Sequence, residues 1–396
     1  MIRNWARNKI QRALQNVGDT DGIVREMEEI LAVDHTNAEA LGYLAFTLED
    51  ISRISDRFDY ARRALVLQHK MPANGTDPLT MLMTLHKEPM HGPKFERRLR
   101  KHRLHHDLEQ LRYIQAKHRL PTELTKRAIA AYEEVIAQLS GVPDYESVTL
   151  TWSQWATIGP YFNRVLYLPI LSRVKSSGLN PAIDLNEVQD AYNNSDPHVV
   201  VVDDFLSQDA LAALLRYYRE ATVFFDLGRI AYVGTYLVDG VGNPVLAQVV
   251  EELAEKLRPI LCDRPLVQAW VYKYDDKLQR GINIHADKAA VNFNLWLGEN
   301  NSVDPDHGGL VIFTEKPPED WDFDMYNTDP PRREVTEMLE RSEYRNVTVP
   351  YKQNRMIMFD SKLFHVSDID KWRPGYERRR INLTLLFGRA GSSCQT

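Results

Sequence analysis

Two histidines and one aspartate are the side chains of this sequence best suited to hold a transition metal. His285 and Asp287 stand two apart in Asn-Ile-His-Ala-Asp, residues 283–287. A strand over Ile282–Asp287 points both side chains to one face. His365 follows a second apolar strand, Arg355–Phe359, and supplies a third donor from a distant part of the chain. Two imidazoles and one carboxylate on one face of an octahedron leave the other positions open, as a ferrous site needs if it is to bind oxygen and a cosubstrate together. The plain alternative for the pair alone is a core histidine beside a solvated aspartate. His105 and Asp107 repeat the spacing in the helical, charge-rich stretch Arg97–Arg119, where residues i and i+2 do not face each other, so they read as surface.

A second constellation lies near the C-terminus. Arg378–Gly388, read as a strand, sets Arg380, Asn382 and Thr384 on one face and Ile381, Leu383 and Leu385 on the other. An arginine inside such a sheet suits a carboxylate ligand, because its planar fork pairs with both oxygens. Arg378 shares the parity of Arg380 but lies nearer the strand start, Arg379 points the other way, and an exposed triple-arginine loop is the alternative.

Taken in order, Tyr274, His285 with Asp287, the Gly308-Gly309 turn, His365 and Arg380 resemble the 2-oxoglutarate and iron(II)-dependent oxygenase superfamily, in its prolyl-hydroxylase-like branch, over about residues 199–388. The resemblance implies iron(II), 2-oxoglutarate and molecular oxygen, with decarboxylation of the cosubstrate to succinate and carbon dioxide. It implies His285, Asp287 and His365 as iron ligands, a salt bridge from Arg380 to the far carboxylate of 2-oxoglutarate, and a hydrogen bond to it from Tyr274. Tyr272 shares the strand face of Tyr274 and is its rival. Where the family often carries serine or threonine two residues past its arginine, this chain has Asn382, so Asn382 or Thr384 must substitute. Asn292 and Asn294 share one face of the strand after the motif, and Asn294 is a candidate to orient the cosubstrate. Family members that halogenate replace the carboxylate with a small residue, so Asp287 favours hydroxylation. Desaturation and ring formation stay open.

The elements that must position these groups are short strands separated by turns: Leu266–Tyr274, Ala290–Leu297, Gly309–Thr314, Asn346–Val349 and Arg380–Gly388, after VVVVDDFL at 199–206, read as a buried strand. Such a series implies a sandwich or barrel, and the resemblance implies a double-stranded β-helix, or jelly roll. The insertion Glu315–Arg345, with Trp321, Phe323, Tyr326 and a helix over Glu334–Glu340, has the length of a lid. Phe224–Gly242, with Arg229, Tyr232 and Tyr236, is a second lid candidate. Packing against the barrel is the alternative for both.

The first third is helical. Ile23, Met27, Ile30 and Leu31 recur at helical spacing, and Ala38–Leu48 repeats the pattern. ILAV at 30–33 returns as ALVL at 64–67, an offset that resembles a short tetratricopeptide array; an unrelated helical bundle fits as well. The basic run Lys94–Arg103 reads as a solvated helix face or as a groove for an acidic partner. The expected fold class is therefore α+β: an all-α helical-hairpin domain over 1–145, a connecting segment over 146–197, and a jelly-roll oxygenase domain with flanking helices over 198–396.

The whole-chain balance sets limits. Over 396 residues, 43% hydrophobic and 26% charged residues describe a globular chain, and a net charge of −6 argues against nucleic acid as the main partner. No apolar run approaches a membrane span. Met1–Leu14 is basic and amphipathic, which suits a transit peptide or simply a first helix. Two cysteines, Cys262 and Cys394, without CxxC spacing, suggest a reducing, cytoplasmic setting. Three readings follow: an enzyme hydroxylating an amino-acid-like, peptide or protein substrate; an interaction protein whose barrel binds metal without catalysis; or the enzyme acting on a free small molecule, with the helices serving a protein partner or self-association.

Overall fold

The computed structural model of the chain describes residues 2–15, 19–69, 97–225, 232–274, 282–304, 307–328, 330–368 and 372–389. Arg229 and its neighbours at 226–231, Lys94 and Cys394 lie outside the described residues, and with them parts of the second lid candidate, the basic run and the cysteine reading. The chain divides into two compact units. One comprises Met1–Leu171, Tyr217–Gly228 and Val233–Pro244, the other Ser172–Arg216, Arg229–Tyr232 and Val245–Thr396.

The first unit is built of helices. Ile2–Leu14, Thr20–Val33, Ala38–Thr47 and Ile54–Gln68 form two successive pairs. Asp19 and Asn37 start two of them by accepting the otherwise unmet amides of Gly22 and Ala40. Ile10, Met27, Ile30 and Leu44 meet in one apolar cluster. Leu104, Leu108, Tyr132, Val135, Trp155 and Phe162 form another, in which the helices Lys101–Ala116 and Thr122–Gln138 and the segment after them take part. Strands β1 (Arg98–Arg100) and β2 (Ser147–Thr149) pair antiparallel beside it. The basic run is only partly a solvated face where it is described: Arg98 is exposed, whereas Lys101 and Arg103 are buried and Lys101 pairs with Asp144 at 2.9 Å.

The second unit is a mixed helix and antiparallel-sheet assembly. Strand β4 (Tyr232–Tyr236) belongs to the first unit but for Tyr232; the second holds β3 (Val199–Val202), β5 (Leu266–Tyr274), β6 (Val291–Trp296), β7 (Leu310–Phe313), β8 (Asn346–Val349), β9 (Met356–Asp360), β10 (His365–Ser367) and β11 (Ile381–Phe387). Within this unit the larger sheet runs β3, β9, β6, β11, β5, and the smaller one β10, β7, β8. In the second unit β3 has a neighbour on one side only, so VVVV is half-buried and Val201 is exposed, contrary to the expected buried strand. No helix among the described residues is long and apolar enough to cross a membrane. Cys262 is disulfide-bonded, which departs from the reducing setting expected of two isolated cysteines.

The insertion departs from the lid expectation. Its helix, Arg333–Arg341, buries Val335 and Leu339, and these join Tyr326, Ala286, Phe313 and Phe364 in one apolar cluster. Burying six side chains together makes this segment part of the core behind the metal-binding residues.

Candidate metal centre

His285 and His365 face each other across an isolated antiparallel bridge. The His285 N–H donates to His365 O at 3.0 Å and the His365 N–H to His285 O at 2.8 Å. The expected strand over Ile282–Asp287 is not regular: the Asp287 N–H turns to Ser361 O, at 2.9 Å, so pairing with β10 stops after His285. The convergence survives, because bridge and turn hold the two ends of the same short segment. One potential ligand atom from each of His285, Asp287 and His365 lies within 4.8 Å of the others.

Both imidazoles are oriented for ligation. His285 Nδ1 lies 2.7 Å from Asn283 O, and His365 Nδ1 lies 2.9 Å from Leu363 O. A carbonyl oxygen only accepts, so each Nδ1 carries the proton and each Nε2 keeps its lone pair for a metal. Asn292 Nδ2 donates to Asp287 Oδ2 at 2.7 Å, and that oxygen lies 3.6 Å from His365 Nε2. Burial raises the Asp287 carboxyl above its usual range, against the opposing influence of His285 and of the Asn292 bond. Burial also holds the His365 imidazole well below its usual value, and His285 adds to this. Two neutral-nitrogen donors and one carboxylate suit a ferrous ion. His105 and Asp107 form no such centre: Asp107 is occupied by Arg103, His106 and Tyr132, and it is buried rather than on the surface.

Strand register carries the site away from the metal-binding residues. Asn292, Asn294 and Trp296 alternate onto one face of β6. Thr384 stands opposite Asn294, and Asn382 opposite both Trp296 and Tyr272. Thr384 Oγ1 accepts from Asn382 Nδ2 at 3.1 Å and from Asn294 Nδ2 at 3.3 Å. The amide oxygens of Asn292, Asn294 and Asn382 are buried without a hydrogen-bond partner among the described residues, and so are the indole N–H groups of Trp296 and Trp372. Buried polar atoms left this way ask for a ligand or water.

Arg380 stands at the far end of this face and is 1% exposed. Its guanidinium carbon lies 4.7 Å from the Tyr274 ring centre, 5.6 Å from that of Trp296 and 5.8 Å from that of Trp372, a cage that replaces hydration with aromatic faces. The Tyr274 N–H donates to Arg380 O at 3.1 Å, which fixes the pair in register. Tyr272, the rival, sits one step further along the same face, against Tyr232 at 4.2 Å. Arg380 Nη2 reaches Gly309 O at 3.4 Å. The Gly-Gly turn is sterically required: Gly308 has φ +71°, and a Cβ on Gly309 would lie 1.9 Å from Val349 O.

Sequence reasoning missed Asn327 and Trp372. Asn327, from the insertion, bonds the backbone of Ala286 between two of the candidate ligands. Trp372 packs on Gly308 and beside Arg380. Neither had a signal of its own, since an asparagine in a loop and a tryptophan near a turn are common.

No protein-family model matches the chain, and no curated protein matches it by sequence. Solved structures do. The non-heme alpha-ketoglutarate-dependent carbocyclase SnoK from nogalamycin biosynthesis shares 11% identity over 54% of this chain and 87% of its own, with a TM-score of 0.41. The epimerase SnoN, solved with Fe3+, alpha-ketoglutarate and a nogalamycin compound, shares 15% over 52% of this chain and 84% of its own, with a TM-score of 0.38. A Pseudomonas putida prolyl-4-hydroxylase shares 16% over 55% of this chain and 100% of its own, with a TM-score of 0.32. The solved structures that this chain resembles, distantly and over about half its length, thus include 2-oxoglutarate-dependent oxygenases and a prolyl 4-hydroxylase.

Proposed function

We propose that the chain is an iron(II)- and 2-oxoglutarate-dependent dioxygenase that hydroxylates an unactivated C–H of an amino-acid-like or peptidyl substrate. The observation that carries this reading is the meeting of His285, Asp287 and His365 within 4.8 Å, with both Nδ1 atoms already spent on carbonyls. When bound, ferrous iron with 2-oxoglutarate and oxygen supplies a decarboxylation to succinate and carbon dioxide coupled to C–H oxidation. His285 Nε2, His365 Nε2 and one Asp287 oxygen hold the ion, and Asn292 steadies the carboxylate.

Arg380 pairs with the far carboxylate of 2-oxoglutarate, since its planar fork fits two carboxylate oxygens. Tyr274 flanks that pair, Tyr272 lies one step beyond, and Asn294, Asn382 and Thr384 line the path between arginine and metal. In this reading the two sheets are the halves of a jelly roll spanning 198–396. The helical domain over 1–145, joined through 146–197, serves recognition.

The test is a screen of amino acids, peptides and cell extract with purified protein, ferrous iron and 2-oxoglutarate. It is expected to yield succinate together with a product about 16 mass units heavier, the mark of one added oxygen. Equal product from His285→Ala would overturn the metal assignment. An absence of succinate with every substrate would favour a binding protein instead.

A further inference from the structure

The buried face that runs from the metal-binding residues to Arg380 carries several polar side chains, and they differ in what they have left to give. Toward its middle the amides turn to a shared hydroxyl: Asn294 Nδ2 and Asn382 Nδ2 both donate to Thr384 Oγ1, at 3.3 and 3.1 Å. Trp296 and Trp372 are different. They are 0% and 4% exposed, and the indole N–H of each is buried without a hydrogen-bond acceptor among the described residues. An indole nitrogen only donates, so nothing but an acceptor can satisfy it.

Both indoles belong to the Arg380 end of the face. Their ring centres lie 5.6 and 5.8 Å from the guanidinium carbon. A Cβ on Gly308 would come within 2.6 Å of Trp372 Cζ2, the ring carbon next to the one that bears Nε1. The side of the indole that carries the N–H is therefore the side set against the Gly308-Gly309 turn. Arg380 Nη2 reaches the same turn, at Gly309 O. Trp296 is held by stacking on Tyr351 at 5.2 Å, and Tyr351 meets Trp372 edge-on at 5.1 Å. Two donor-only rings and a guanidinium fork thus share one buried corner.

We propose that Trp372 and Trp296 donate their indole N–H groups to the far carboxylate of 2-oxoglutarate, beside Arg380, and so make the pocket select a carboxylate over a neutral end. This rests on the reading given above, in which Arg380 pairs with that carboxylate. An ionised carboxylate suits the corner because it only accepts, with about four lone-pair positions on its two oxygens. The two bonds of the fork leave the others for the indoles. A carboxamide in the same place would set its own N–H groups against theirs.

Trp372→Phe and Trp296→Phe keep a ring and remove the donor. In the zinc-loaded full chain, which binds without turnover, each is expected to weaken 2-oxoglutarate by about tenfold in calorimetric titration, the size of a hydrogen bond to a charged group. Affinity for 2-oxovalerate, which keeps the 2-oxo acid end but lacks the far carboxylate, is expected to stay at the wild-type value, whereas a merely structural role would weaken both acids alike. In wild-type protein labelled with 15N in tryptophan, 2-oxoglutarate is expected to move the indole proton signals of Trp296 and Trp372 downfield and 2-oxovalerate to leave them in place. That measurement decides the matter should a variant fail to fold. Wild-type protein that binds 2-oxoglutarate with both indole signals unmoved, or variants that bind it as tightly as the wild type or lose both acids together, would overturn this proposal alone. Wild-type protein that binds neither acid would overturn the oxygenase reading with it.

Discussion

Asn327 exchanges two hydrogen bonds with the peptide of Ala286: the Ala286 N–H donates to Asn327 Oδ1 at 3.0 Å, and Asn327 Nδ2 donates to Ala286 O at 2.8 Å. A side-chain amide thereby plays the part of a neighbouring strand at the residue between His285 and Asp287. The apolar cluster of Tyr326, Val335, Leu339 and Phe364 backs it. Partners that orient metal ligands in this way typically contribute about 10–100-fold in metal affinity. Asn327→Ala is expected to lose that much, read by titration with ferrous or cobaltous ion, and Asn327→Asp, which keeps the acceptor but not the donor, to fall between. Wild-type affinity in Asn327→Ala would mean that the bridge to His365 suffices alone.

Arg380→Lys separates charge from shape. The lysine keeps the cation but gives up the planar fork and the ring contacts with Tyr274, Trp296 and Trp372. Losing such contacts costs on the order of 1–2 kcal/mol, so 2-oxoglutarate binding is expected to weaken by about tenfold. Calorimetric titration of the metal-loaded protein measures it. Metal affinity should stay unchanged, since Arg380 stands at the opposite end of the face, and a loss of metal binding would mean that the variant disturbs the sheet instead.

How far the sequence could be read depended on whether the signal was local. The alternating face of Arg380, Asn382 and Thr384 is a period-2 pattern that survives folding, so residue spacing alone could find it. The segment around His285 was harder. One bridge and one turn replace the regular strand, a choice made by the distant Ser361 and His365. Asp107 shows the opposite failure: helical spacing excluded it beside His105, yet its burial depends on Tyr132, far along the chain, which no local pattern encodes. The insertion was read from its length, whereas its fate follows from Val335 and Leu339 finding Ala286 and Phe364.

Two glycines give opposite expectations. A Cβ on Gly309 would meet the main-chain oxygen of Val349 in the paired strand β8, and backbone cannot step aside as a side chain can. Gly309→Ala is expected to cost at least about 2–3 kcal/mol of stability. Gly42, within the helix Ala38–Thr47, has open space where a Cβ would go, so Gly42→Ala should stabilise by about 0.5–1 kcal/mol. Urea unfolding of both variants checks the pair, and a well-tolerated Gly309→Ala would show that β7 and β8 can separate there.

His69 makes stability depend on pH, with a sign fixed by its burial. Its folded value is lowered from 6.5 to about 4, mainly by burial, with Arg164 and Arg103 adding. As pH falls through about 6.5 the unfolded chain takes up a proton that the folded chain refuses until about 4, so the unfolded state binds more protons across this window. The contribution is fully present above about 6.5 and is lost progressively toward about 4, by at most about 3 kcal/mol. His69→Phe keeps a ring against Phe225 and removes the titrating group. Its unfolding free energy should fall less steeply than the wild type's between pH 7.5 and 5, at the cost of the 2.9 Å bond to Asn163 O. Equal slopes in the two proteins would assign the acid sensitivity elsewhere.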